Sequence, residues 1–128
     1  MPASLEMIQA AGAKLSTRLG LTWLDVSATF EAVDAPFFIG RANDCKFVVS
    51  DQRVSRQHAK IEMTSDVFVI TDVSSYGTWV RFAGSDTAVA LRRQECVLHD
   101  KGEIALGASF DDFTVPTVSF TINDPARR

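Results

Sequence analysis

From Leu21 to Ile122 the chain is a succession of short apolar runs, each cut off by Gly, Asp, Asn or Ser before a helical period is established. Leu21 to Thr29, Phe37 to Gly40, Lys46 to Val49, Ala59 to Met63, Val67 to Thr71 and Gly77 to Phe82 are rich in Val, Ile, Phe and Trp, residues that fit a pleated, half-buried surface. The rhythm continues in Ala88 to Arg92, Glu95 to Leu98, Glu103 to Leu106 and Val118 to Ile122. In the last of these Val118, Phe120 and Ile122 alternate with Ser119 and Thr121, the pattern of a strand with one wet face. Strands so short and so closely spaced, with no helix between them, leave no room for βαβ units and predict an all-β sandwich or barrel. Gly107, Asp111, Asp112 and Pro116 mark residues 107–116 as a loop. Trp23, Phe47, Phe68, Trp79 and Phe120 are expected in the core.

The N-terminal stretch has a different period. Residues 4–18 read as a helix: Ser4 is a suitable cap, Glu6 suits the first turn, Leu5, Ile8 and Leu15 share a face, and Gly20 follows the end. The organisation expected is therefore an N-terminal helical or linker segment over residues 1–20, a β-domain over 21–122, and a polar tail over 123–128. The first segment either packs on the β-domain or is the end of a linker from a larger parent chain.

A chain of 128 residues with 46% hydrophobic content suits one domain with one core. Lys+Arg 13 against Asp+Glu 16 gives a net charge of −3, without the clustered basic excess that a nucleic-acid backbone demands. Arg92-Arg93 and Arg127-Arg128 read as solvated ends. Cys45 and Cys96 lie far apart, with no C-x-x-C spacing and no companion histidine, so they predict reduced, packed thiols and no metal site. No basic region leads into an apolar one at the start, and no apolar run approaches the roughly 20 residues that cross a bilayer. The expectation is a cytoplasmic protein that does not use a membrane.

Three polar clusters hang on the ends of the apolar runs. Gly40-Arg41 follows the first: glycine permits close backbone approach, and arginine offers a planar fork of donors matched to phosphate oxygens. Ser55-Arg56-Gln57-His58 precedes the next run, so a hydroxyl and a guanidinium are available to an anion. His58, entering a strand, reads as a structural hydrogen-bonder, since no nucleophile and orienting group accompany it. Ser74-Ser75-Tyr76-Gly77-Thr78 joins two apolar runs in a tight loop whose hydroxyls and amides are free to face a ligand. Paired carboxylates, a metal-ligand cluster and an activated nucleophile are all missing from the pattern, so neither catalysis nor a cofactor is expected.

In this order, Gly-Arg, then Ser-Arg-x-His, then Asp-x-Ser-Ser-x-Gly-Thr resembles the forkhead-associated (FHA) domain over about residues 21–122. The resemblance implies a two-sheet β-sandwich of roughly a dozen short strands, with loops at one end that bind phosphothreonine in a partner protein. It implies that Arg41 grips the phosphate, Ser55 hydrogen-bonds it, and Arg56 and Ser75 contact it. It further implies that His58 braces the binding loops, that Gly40 and Gly77 shape them, and that Thr78 is structural. Tyr76 departs from the family's usual asparagine, which holds the peptide main chain, and a phenol replaces an amide's donor and acceptor pair with one hydroxyl. The Ser74 to Phe82 run, with Leu91-Arg92-Arg93-Gln94-Glu95 and Gly102 to Gly107, is also similar to FHA modules attached to some bacterial nucleotide cyclases. That likeness implies a regulatory module with a cyclase as attached or partner chain. The sequence sets no oligomeric state.

Overall fold

A computed structural model describes residues 17–124, so the predicted helix over 4–18 lies, up to residue 16, outside the described residues. Its last part is not helical. Strand β1 (Arg18–Trp23) already contains Gly20, which sits in mid-strand and ends no helix. The first strand thus begins at Arg18 and the last runs to Asn123. The run from Leu21 to Thr29 also divides: β1 folds back on β2 (Val26–Phe30), pairing Trp23 with Val26 across a two-residue turn. Leu24 takes a positive φ of 56° there, a conformation usual for Gly or Asn, which is why the turn carries no sequence signal.

The other strands fall where the apolar runs predict them. They are β3 (Phe37–Gly40), β4 (Phe47–Val48), β5 (Ala59–Thr64), β6 (Val67–Asp72), β7 (Thr78–Phe82), β8 (Val89–Leu91), β9 (Glu95–Leu98), β10 (Lys101–Leu106) and β11 (Thr117–Asn123). They form a six-stranded sheet in the order β2-β1-β11-β10-β7-β8 and a five-stranded sheet in the order β4-β3-β5-β6-β9. Every pairing is antiparallel except β3 with β4. Period-two alternation turns one face of each sheet inward, so Leu21, Val80, Ile104, Val118 and Phe120 from one sheet share a core with Ile39, Phe47, Ile61, Phe68 and Ile70 from the other. Trp23 packs against the edge of this core. Trp79 does not enter it: its neighbours Thr78 and Val80 point inward, so the pleat turns the indole out and leaves it half-buried. Among the described residues no helix is long and apolar enough to cross a membrane.

Register gathers the loops. Ile39 pairs with Ala59 and Ala59 with Asp72, so the end of β3, the start of β5 and the end of β6 lie side by side. Thr78, opening β7, pairs with Leu106 at the end of β10 and with Leu91 at the end of β8. Residues 41–46, 49–58, 73–77, 92–94 and 107–116 therefore leave the sheets at one pole.

A candidate anion-binding site at one pole of the sandwich

Gly40 is the point where two loops nearly touch. A Cβ there would lie 2.2 Å from the Arg56 carbonyl oxygen and 3.0 Å from Cys45 Sγ, distances only glycine allows. The close approach is fastened by Arg41 N–H donating to the Ser55 carbonyl (2.9 Å) and Ala42 N–H donating to the Arg56 carbonyl (3.1 Å). Cys45 Sγ donates to the same Arg56 oxygen at 3.1 Å, and burial raises its pKa, so it stays a packed thiol. Cys96 is likewise free and half-buried.

His58 ties the second loop to the third from within. It is fully buried; Ser55 N–H donates to its Nδ1 at 3.0 Å, which makes Nε2 the protonated nitrogen and lets it donate to the Gly77 carbonyl at 2.9 Å. Burial holds its pKa below the ordinary histidine value, against the opposing pull of the Gly77 carbonyl and of Asp72. The ring is a neutral strut. Gly77 itself has a positive φ of 104°, and the space beside its Cα is filled by the Trp79 ring and the Arg92 stem, each 3.1 Å from where a Cβ would be.

The central element of the third loop is Asp72, which opens the Asp-x-Ser-Ser-x-Gly-Thr motif but was given no role from the sequence. Asp72 is buried at 1% exposure, and its Oδ1 accepts from Ser74 Oγ (2.6 Å), Thr78 Oγ1 (2.7 Å) and Ser74 N–H (3.3 Å). Its Oδ2 accepts from Arg93 N–H at 2.9 Å, and Ser74 Oγ in turn accepts from Gly77 N–H at 2.7 Å. Burial pushes the carboxyl up, but the bonds from Ser74, Arg93 and Thr78 outweigh it and hold the group below the usual carboxylate range. Thr78 is fully buried in this network. The available signal was local: an Asp closing a strand with Ser two residues on is an Asx-turn pattern.

On this frame Arg41, Ser55, Arg56, Ser75 and Tyr76 line one depression of about 370 Å³, together with Gln52, Arg53 and Val54. Arg41 Nε donates to the Val54 carbonyl at 3.0 Å, which aims the guanidinium while its two terminal nitrogens remain unspent. Ser55 Oγ accepts from Ser75 N–H at 3.1 Å, so its own proton is available to a guest. Among the described residues no carboxylate lies within 4.0 Å of Arg41 or Arg56. Tyr76 is 62% exposed on the rim.

Arg53, also missed from sequence, is fully employed. It binds Asp51 through Nε and Nη2 (both 3.0 Å), and reaches Thr114 Oγ1 (2.8 Å) and the Thr114 carbonyl (2.7 Å) in the loop after β10. Gly107, whose virtual Cβ would meet the Arg53 carbonyl at 2.5 Å, closes the same contact. Among the described residues no group of three His, Cys, Asp or Glu side chains is placed to hold a metal ion. The arrangement offers cationic and hydroxyl donors to a small anion.

Comparison with known proteins gives the same constellation a family. None of the curated proteins compared matches significantly. Among solved structures, the FhaA FHA domain complexed with the intracellular domain of Rv3910 is 27% identical, covers 84% of this chain and 100% of its own, and superposes with a TM-score of 0.57. A second FHA structure, solved for the structural and functional analysis of phosphothreonine-dependent FHA interactions, is also 27% identical, with coverage of 84% and 95% and a TM-score of 0.56. The Mycobacterium tuberculosis Rv1747 FHA-1 domain, 17% identical with coverage of 84% and 98%, shares the fold at a TM-score of 0.65. The FHA domain model matches residues 37–107, which contain all three polar clusters and more than half of the sequence, and the chain belongs to the FHA domain family.

Proposed function

We propose that this domain docks a phosphothreonine-bearing protein at the Arg41 depression and thereby recruits or regulates the chain it serves, performing no chemistry on its ligand. One observation carries the proposal: Arg41 and Arg56 share a depression with the Ser55 and Ser75 hydroxyls and have no carboxylate partner within the described residues. A phosphothreonine brings about −1.5 to −2 charges and three strong acceptor oxygens, which supply the missing counter-charge. In this role Arg41, Ser55, Arg56 and Ser75 contact the phosphate and Tyr76 flanks the peptide. Gly40, His58, Gly77 and Thr78 hold the loops. On the sequence likeness alone, the regulated chain is a bacterial nucleotide cyclase, attached or separate, and the setting is the cytoplasm.

Each charge-assisted bond contributes about 1.5–3 kcal/mol, so removing two should lower affinity by about two to four decades. Titration of matched peptides carrying phosphothreonine, phosphoserine or threonine, against the parent, Arg41→Ala and Ser55→Ala, measures this directly. Equal binding of phosphorylated and plain peptides would reject it. Tyr76 favours one other reading, a phosphate-independent interaction or dimerisation module, because the rim lacks an amide at that position. In that case Arg41→Ala would leave partner capture or self-association intact.

A further inference from the structure

The described chain contains ten cations, and they are paired unevenly. Arg18, Lys46, Arg53, Lys60 and Arg81 each lie within 4.0 Å of a carboxylate. Of the five that do not, Lys101 opens β10 at the far pole, whereas Arg41, Arg56, Arg92 and Arg93 all sit at the loop pole. An acidic chain with net charge −3 thus has four arginines without an ion pair at one pole, among loops that also carry Asp44, Asp51, Asp72, Asp111 and Asp112. Guanidinium groups without a carboxylate beside them keep their donors for an anionic guest.

Arg92 and Arg93 are exposed to solvent, as the sequence suggested, but the turn that carries them is fastened. Arg93 N–H is bonded to buried Asp72, the carboxylate that also holds Ser74 and Thr78, and Asp72 N–H donates to the Gln94 carbonyl at 3.0 Å. The Arg92 stem lies against Gly77. The turn carrying both arginines is therefore fixed to the loop that bears Ser75 and Tyr76, on the side away from Gly40 and Arg56.

Building on the phosphate reading of the first depression, we infer that the pole has two anion stations: Arg41 with Ser55 and Arg56 for the phosphate, and Arg92 with Arg93 for a second anionic group on the same peptide. The ligand is then an acidic phosphopeptide, its second charge a carboxylate or another phosphate. Exposed ion pairs each change an equilibrium by up to about fivefold, so the second charge should tighten binding about three- to tenfold.

The test uses labelled peptides with one phosphothreonine in neutral flanks, the same peptide with two aspartates before or after it, and a form with a second phosphothreonine. Affinities are measured by fluorescence anisotropy for the parent, Arg92→Gln/Arg93→Gln and Arg41→Ala. Tighter binding of at least one acidic form by the parent, with that ratio falling to about one in the double variant, supports the inference. The aspartate and phosphate arms show which source serves best. A parent that binds neutral and acidic forms equally, or a preference that survives Arg92→Gln/Arg93→Gln, overturns it. Failure of the phosphate reading appears separately, as insensitivity of the neutral phosphopeptide to Arg41→Ala. Unchanged unfolding midpoints of the double variant exclude misfolding as the cause.

Discussion

Replacing Asp72 with Asn keeps the size of the side chain but removes its charge and half of its acceptor capacity. Four protein donors converge on the carboxylate, three at Oδ1 and one at Oδ2. An amide can place its oxygen at the Ser74 and Thr78 side, but its NH2 then faces Arg93 N–H, donor against donor. Turning it over satisfies Arg93 and strips the oxygen from two buried hydroxyls. Hydrogen bonds to a charged acceptor contribute about 1.5–3 kcal/mol and neutral ones about 0.5–1.5 kcal/mol, so the downgrade of three bonds and the loss of one remove about 4–7 kcal/mol, and the lower cost of burying an amide than a carboxylate brings the net loss to about 2–4 kcal/mol. Against a domain stability of about 5–15 kcal/mol the variant should fold, with its urea midpoint lowered and its m-value unchanged. Tryptophan fluorescence during equilibrium unfolding reads the shift. Thr78→Val, combined with Asp72→Asn, should cost less than the sum of the two alone, because both act on one bond. A loss smaller than about 0.5 kcal/mol for Asp72→Asn would show that the carboxylate is not what holds the third loop together.

Gly40→Ala places a methyl group against the Arg56 carbonyl, where backbone must yield. It should destabilise by about 1–3 kcal/mol as an overpacked site, measured by thermal or chemical unfolding, and a parent-like midpoint would refute the close-approach argument. His58 has a depressed pKa in the fold, so its contribution to stability is fully present above the unfolded value of about 6.5. It declines as pH falls below that, because the unfolded chain takes up the proton first. Melting temperatures recorded from pH 8 to pH 5 should fall across this window in the parent and stay flatter in His58→Gln, and a flat parent profile would contradict the neutral-strut assignment.

How much of this was legible in the residues depends on how local each cause is. The alternation of Val118, Phe120 and Ile122 is a period-two signal carried by adjacent positions, and β11 shows the corresponding inward face. Gly40 also announced its kind of role, since a glycine at a strand end signals close approach; its partner, the Arg56 carbonyl, is fixed only by the β3–β5 pairing. The Leu24 turn was hidden because the residue that adopts positive φ there has no preference for it. Trp79 was misplaced because hydrophobicity outranked the pleat, although Thr78 and Val80 already claim the inward face. Asp72 and Arg53 went unassigned for a different reason: their importance lies in the number of donors or acceptors that converge on them from separate loops.

Those two residues also reveal how the pole is built. Its framework relies on groups whose hydrogen bonds are met: buried His58 is neutral, buried Asp72 accepts from four donors, and at the surface Arg53 is tied to Asp51 and Asp112. Its exterior does the opposite: among the described residues no carboxylate lies within 4.0 Å of Arg41, Arg56, Arg92 or Arg93. Buried bonds of this kind fix the loops before any guest arrives, so little ordering cost is left to be met on binding. On the proposed reading the exposed arginines keep their donors for the guest. A surface selected only for stability would pair those arginines with some of the sixteen carboxylates the chain possesses. Four arginines without an ion pair, gathered at the one pole where the loops meet, are the physical reason to place recognition there.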